Sequence, residues 1–281
     1  PFPDRIHVGI PTIQCCEAPM TTTAGSMLSC TVEGAVATLL INHPPANTLT
    51  PELLAELSTT FDQVAKDEAV KVVVLTGTGR FFIAGADIRV LASIASSKEG
   101  EAMALQGQAI LDRIEEVGKP VIAAINGICL GGGLELAMCC HIRLAAEGSR
   151  LGQPEINLGI MPGFGGTQRL ARIIGQSKAM ELILTGEPIS AQEAKTIGLV
   201  SQVVSPEDLL RQAQGLARTI ASKGQMAVRA SLRAIRQGVE LNLHDALALE
   251  ARLFGELCDT ADRREGLSAF LEKRQPHFMD R

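Results

Sequence analysis

The sequence predicts a mixed α/β fold, a largely parallel sheet with helices packed outside it, followed by an all-helical C-terminal region. Two observations carry that expectation. A short apolar run, a glycine turn and a helix follow one another twice between residues 70 and 140, and alternation of this kind builds parallel sheet units. From Pro206 onward only helical spacing remains.

The first expected element is a hairpin over residues 28–42. Leu28, Cys30 and Val32 alternate with Ser29, Thr31 and Glu33, and Gly34 separates them from a second apolar stretch at 36–41. A helix follows, with Thr50 as N-cap, Pro51 at the first helical position, and Leu53, Leu54, Leu57, Phe61 and Val64 on one face. Residues 70–75, ending in Thr76-Gly77, read as a buried strand. Next come a helix over roughly 99–117 and a strand over 121–125 that runs into Asn126-Gly127, after which Gly131-Gly132-Gly133 opens another helix. Beyond residue 206, Leu209, Leu210, Ala213 and Leu216, then Leu243, Leu247 and Leu253, are the apolar positions of further helices. Their faces suit either a sister subunit or the chain's own core. The expected organisation is a leader or appended segment at 1–19, a core bearing the site at 20–205, and a helical assembly region at 206–281.

Composition narrows the function. A hydrophobic content of 46 % supports a sizeable core rather than a disordered chain. Only 3 % of residues are aromatic, with no Trp and no Tyr, so stacking platforms for single-stranded nucleic acid lack material. The net charge is −5 and no basic stripe is visible, which argues against a nucleic-acid partner. The seven cysteines are odd in number and include the adjacent pairs Cys15-Cys16 and Cys139-Cys140, which argues for a reducing, cytoplasmic setting. No apolar run reaches the roughly 18 residues of a membrane span, and the first residues carry no export signal.

Two glycine turns and two acids carry the chemistry. In Phe82-Ile83-Ala84-Gly85-Ala86-Asp87 and in Gly131-Gly132-Gly133-Leu134-Glu135 a turn leads into a helix, leaving the amides of Ala86 and Gly132 without a partner inside it. Either turn alone is a tight strand-to-helix connection. Two together suit an oxyanion hole. Glu135 falls in an otherwise apolar helix, and Glu155 lies among apolar neighbours in Gly152-Gln153-Pro154-Glu155. Taken singly, Glu135 is a favourable helix-end charge worth about 0.3–1 kcal/mol, and Glu155 a loop-capping acid. The glycine spacings match neither a dinucleotide fingerprint nor a phosphate loop. Cys139-Cys140-His141 lacks a second ligand cluster with zinc spacing, so no metal is expected. No G-x-S-x-G elbow is present for a serine nucleophile.

These residues resemble the crotonase (enoyl-CoA hydratase) superfamily over about residues 28–278. The resemblance rests on Phe82 to Ile88, on Pro120-Val121-Ile122-Ala123-Ala124-Ile125-Asn126-Gly127, on Gly131 to Glu135, and on Gly152 to Glu155. It extends to Pro162-Gly163-Phe164-Gly165-Gly166-Thr167-Gln168-Arg169-Leu170 and to Asp262-Arg263-Arg264-Glu265-Gly266, all in the family's order. It implies a crotonase-like spiral of repeated β-β-α units whose helical C-terminal part builds trimers or hexamers. It also implies that Ala86 and Gly132 supply the oxyanion-hole amides and that Glu135 and Glu155 are the catalytic acids of a hydratase. Ala46, Ala84, Asp87, Ile88 and Arg89 join Ala86 and Gly132 as expected contacts to an acyl-coenzyme A thioester, Arg89 near its phosphates.

The implied chemistry agrees with the residues. Hydration of a conjugated thioester builds charge on the thioester oxygen, where one preorganised amide is worth about 10² to 10³ in rate. Two carboxylates sharing a proton activate water and protonate the α-carbon. No metal or redox cofactor is required. Double-bond isomerisation and a non-enzymatic RNA-binding role are the rival readings. Two departures stand out. Cys139-Cys140-His141 has His where the family often has Asp, and Pro44-Pro45-Ala46-Asn47-Thr48-Leu49 is one residue short and lacks the usual basic residue.

Overall fold

The computed structural model describes residues 26–281, so the expected leader at 1–19 lies outside the described residues. The expected hairpin forms as β1 (Leu28–Glu33) and β2 (Val36–Ile41), antiparallel, with Gly34 at φ +60° in the turn. Helix α1 (Pro51–Lys66) starts where the sequence says, because the Thr50 side chain accepts the Leu53 N–H and Pro51 needs no partner for the N–H it lacks.

Strand β3 (Val72–Gly77) begins two residues later than expected. Val70 is buried, but its N–H closes a turn on the Asp67 carbonyl and so never enters the sheet. Beyond it come β4 (Phe81–Ile83), α2 (Ile88–Ala92) and α3 (Ser97–Glu115), the last capped by Ser96. The next turn of the chain is β5 (Val121–Ile125), β6 (Ile128–Leu130) and α4 (Gly132–Cys139). After it follow β7 (Ile142–Ala146), β8 (Arg150–Gly152), a single 3-10 turn at Pro154–Leu158 and α5 (Gly166–Ile174). Helix α6 (Gln176–Thr185), β9 (Ile189–Ser190), α7 (Ala191–Thr196) and β10 (Gln202–Val204) complete the sheets. Four helices close the chain: α8 (Leu209–Ala221), α9 (Gln225–Gly238), α10 (Leu243–Cys258) and α11 (Ala261–Leu271).

From β3 to β8 each successive pair of strands gives one strand to each of two sheets. The larger sheet runs β1-β2-β3-β5-β7-β10, parallel from β2 onward, and the smaller runs β4-β6-β8-β9. The strand alternation sorts side chains between two cores. Val73, Leu75, Val121, Ala123 and Ile125 face the inner core with α1, α3 and α4, while Val72, Val74, Ile122 and Ala124 face α8 through its Leu209, Ala213 and Ala217. Helices α9 to α11 bury much less. Ile235, Val239, Phe254, Phe270 and Leu271 are each more than two-thirds exposed.

Candidate active site

Helix α4 is buried along its whole length, which puts the carboxyl of Glu135, 2 % exposed, inside the protein. A buried carboxylate is costly unless hydrogen-bonded. Glu135 Oε1 accepts two main-chain N–H bonds, from Phe164 at 2.8 Å and from Gly166 at 2.7 Å. Burial pushes its pKa up to about 7; the Gly166 N–H holds it down in part, the Glu155 charge raises it, and Phe164 and Arg169 lower it.

Glu155 stands on the 3-10 turn, half-buried, and its pKa is also raised by burial. Gln153 is fully buried two residues before it. With the amide turned so that both its ends are satisfied, the Gln153 nitrogen lies 3.0 Å from Glu155 Oε1 and 3.1 Å from Oε2 and donates to the carboxylate. The Glu135 carboxyl feels the charge of Glu155, and both residues touch the glycine turn, one through its main chain and the other through its carboxylate. Gly131 accepts the Glu135 N–H through its carbonyl, and a Cβ on Gly131 would stand 2.9 Å from Glu155 Oε1. Gly131 also sits at φ +53°, so a side chain there is excluded by both space and backbone.

The two expected amides are brought together from separate elements. Ala86 forms an isolated parallel bridge with Leu49, in which Leu49 N–H donates to Gly85 O and Asp87 N–H donates to Leu49 O. That pattern leaves the Ala86 N–H out of the pairing. Gly132 is the first residue of α4, and a Cβ built on it would lie 3.7 Å from the Ala86 nitrogen. Beside Ala86 opens an apolar cavity of about 50 Å³, bordered by Leu49, Leu54, Leu91, Met103, Ile110 and Phe164.

Of the other expected positions only Asp87 borders this cavity. Ala84 donates its N–H to the Ala46 carbonyl at 3.1 Å, and Asp87 caps α2 by accepting the Arg89 N–H at 2.8 Å. Ile88 and Arg89 are exposed at the start of α2. The shortened Pro44–Leu49 segment is held by a residue the sequence reading passed over. Buried Asn47, at φ +52°, accepts the His43 N–H at 2.8 Å and donates to Phe81 O at 2.9 Å and Thr78 O at 3.3 Å. The structure also answers the His141 departure. Its Nδ1 accepts the Val121 N–H at 2.9 Å, so Nε2 carries the proton and donates to Glu115 O at 3.1 Å. Burial lowers its pKa to about 4, keeping the ring neutral.

Phe164, Gly166 and Gln153 are site residues that sequence reasoning missed. The first two act through main-chain N–H groups, which have no residue signature, and Gln153 stood in a quoted motif without a role. A much larger cavity, about 1300 Å³, lies at the opposite end of α4 among Met138, Cys139, Cys140, Arg236 and Phe254, away from both acids. The cysteines there are buried, and Cys139 Sγ donates to the Glu135 carbonyl.

A family model described as enoyl-CoA hydratase/isomerase matches residues 31–281. The chain belongs to that family. Among hydratase/isomerase relatives, a probable enoyl-CoA hydratase of Bacillus subtilis is 47 % identical over 252 residues, covering 89 % of this chain and 98 % of the relative. A crotonyl-CoA hydratase of Syntrophomonas wolfei is 46 % identical, covering 89 % of this chain and 96 % of its own. A crystal structure of an enoyl-CoA hydratase from Bacillus anthracis superimposes with a TM-score of 0.87 at 41 % identity, over 91 % of this chain and all of that one. The crotonase-like spiral expected from sequence is therefore the fold of the family.

Proposed function

We propose that this protein is an enoyl-CoA hydratase that adds water reversibly to short trans-2-enoyl-CoA thioesters, giving 3-hydroxyacyl-CoA. The observation that carries the reading is that a buried acid, Glu135, and a half-buried one, Glu155, flank a glycine turn whose Gly132 packs beside the Ala86 nitrogen. The thioester oxygen accepts from the Ala86 and Gly132 N–H groups, which stabilise the enolate that forms there without reorganising. Glu135 has one oxygen occupied by two N–H donors, which favours the carboxylate and leaves Oε2 to take a proton from water. The water oxygen bonds to the β-carbon while the one proton that the pair of acids shares passes from Glu155 to the α-carbon. The proton on Glu135 then returns to Glu155 through water. Atoms and charge balance with no redox step.

The small apolar cavity beside Ala86 and the kinship with a crotonyl-CoA hydratase support a short acyl chain. Ala46, Ala84, Asp87, Ile88 and Arg89 are the proposed contacts to coenzyme A, and of these Asp87 borders the cavity beside Ala86. The exposed apolar faces of α9 to α11 support assembly as a trimer or hexamer, and five free cysteines among the described residues support a cytoplasmic setting. A panel of trans-2-enoyl-CoA substrates, followed by loss of conjugated thioester absorbance, tests the reaction. Turnover should be fastest with the four-carbon substrate. Absence of hydration across the panel refutes the reading. Light scattering should give a multiple of the chain mass, and a monodisperse monomer would overturn the assembly.

A further inference from the structure

The family resemblance assigns no role to Arg169, yet this side chain, 15 % exposed, is tied at every branch of its guanidinium. Nε donates to Glu115 Oε2 at 2.9 Å, Nη2 donates to Asp112 Oδ1, and Nη1 donates to the Phe164 carbonyl at 3.1 Å. Phe164 is also the residue whose N–H lies 2.8 Å from Glu135 Oε1. A single residue thus links the guanidinium to the acid. The anchor on the far side is α3, whose Gln108, Asp112 and Glu115 recur at helical spacing on one face. Gln108 Nε2 donates to the Gly163 carbonyl at 2.8 Å, so the same face holds the loop one residue earlier.

We propose that Arg169 is a positioning residue for Glu135: it ties the Phe164–Gly166 loop to α3, so that both N–H donors stay on the catalytic carboxyl. The proposal rests on the hydratase reading. An arginine suits the task because its planar fork serves three acceptors at once, which a lysine ammonium on a flexible stem cannot do in the same geometry. Its charge acts in the same direction, since a cation behind the loop favours the ionised form of Glu135. The ionisable groups facing this assembly are Glu155 from the 3-10 turn, Asp112 and Glu115 from α3, Cys139 from α4 and Arg236 from α9, the last 3.7 Å from Glu115.

The experiment compares wild type, Arg169→Met, Arg169→Lys and Asp112→Asn in crotonyl-CoA hydration, with kcat, KM and the pH profile measured for each. Arg169→Met keeps the stem and loses the fork. Its kcat should fall by about 10- to 10²-fold, the scale of a small misplacement of a reacting group, with KM moving by less than about twofold. The acid limb of its kcat profile should move to higher pH by about one unit, since an ionised Glu135 has lost its supporting cation and donors. Arg169→Lys should return the acid limb toward wild type while kcat stays low, and Asp112→Asn should lower kcat slightly in the same sense. A folded Arg169→Met with wild-type kcat overturns the proposal, and so does a loss of kcat with an unmoved acid limb, which would make Arg169 merely structural. If Arg169→Met does not fold, wild-type kcat in both other variants overturns it. Failure of wild type to hydrate any enoyl-CoA sinks the hydratase reading and takes this inference with it, whereas an active wild type isolates the inference.

Discussion

Glu135 sits in the first turn of a helix with no exposed face, its Oε1 fixed by two main-chain N–H groups, whereas Glu155 rides on a single 3-10 turn and takes its donor from the Gln153 side chain. The same functional group is thus held by rigid backbone in one place and by a replaceable side chain in the other. The difference teaches where each acid is vulnerable. Glu135 is disturbed by moving a loop, and Glu155 by changing one residue.

The largest expected effect ignores that difference. Glu135→Gln and Glu155→Gln should each lower kcat by at least about 10²-fold, the lower end for positioned acid-base groups. The double variant should cost much less than the product of the two, as expected of acids that act as a unit in the proposed mechanism. Steady-state hydration with circular dichroism on each variant checks this, and near wild-type activity in either single variant would return that acid to a helix-end or loop-capping role.

Stability separates the two acids. The folded protein holds the Glu135 proton more tightly than the unfolded chain does, so stability falls as pH rises from about 4.5 to about 7 and is level above that. The integrated cost is on the order of 3 kcal/mol at pH 8. Glu135→Gln, which removes the charge and keeps an acceptor for both N–H donors, should raise the midpoint of denaturant unfolding at pH 8 and leave it unchanged near pH 4. Glu155→Gln should gain less, being half-buried. Equal gains at both pH values would show that burial of charge at Glu135 is not the cause.

Smaller effects probe the supports. Gln153→Leu removes the amide beside Glu155 and should lower kcat by about 10-fold, as when one partner of a buried polar pair is lost, while the Glu135-dependent pH effect on stability persists. Arg89→Ala, at the exposed start of α2, should raise KM a few-fold with kcat unchanged, the signature of lost uniform binding. An unchanged KM would remove Arg89 from the coenzyme A contacts.

Much of this architecture was legible where periodicity had room to register. The α1 face from Leu53 to Val64 and its Thr50 cap emerged as expected, and so did the β5 run and the turn into α4. The strands of the smaller sheet were not legible, since Phe81–Ile83, Ile128–Leu130 and Arg150–Gly152 are three residues each, too short for an alternation to show. At the site, Glu135 stood out as an acid in an apolar helix, a conflict between burial and charge that a sequence displays openly. Its two N–H donors did not, because every residue but proline owns one. Arg169 reads in isolation as an ordinary solvated cation on α5, and only the fold reveals that α3 lies behind it.

The order of strands in the larger sheet has a consequence for biosynthesis. Reading across it, β1, β2, β3, β5, β7 and β10 occur in the order in which a ribosome delivers them. Each new strand therefore meets an edge already formed by earlier segments, and no strand waits on a partner still to be translated. The hairpin is the template, and the growing edge moves in one direction as the chain emerges at about 5–20 residues per second. Helix α8 follows β10 and seals the outer face against Val72, Val74 and Ile122. A nascent chain stalled before residue 206 would carry a complete sheet with that apolar face bare, so the interval between β10 and α8 is when a chaperone would find the most to hold.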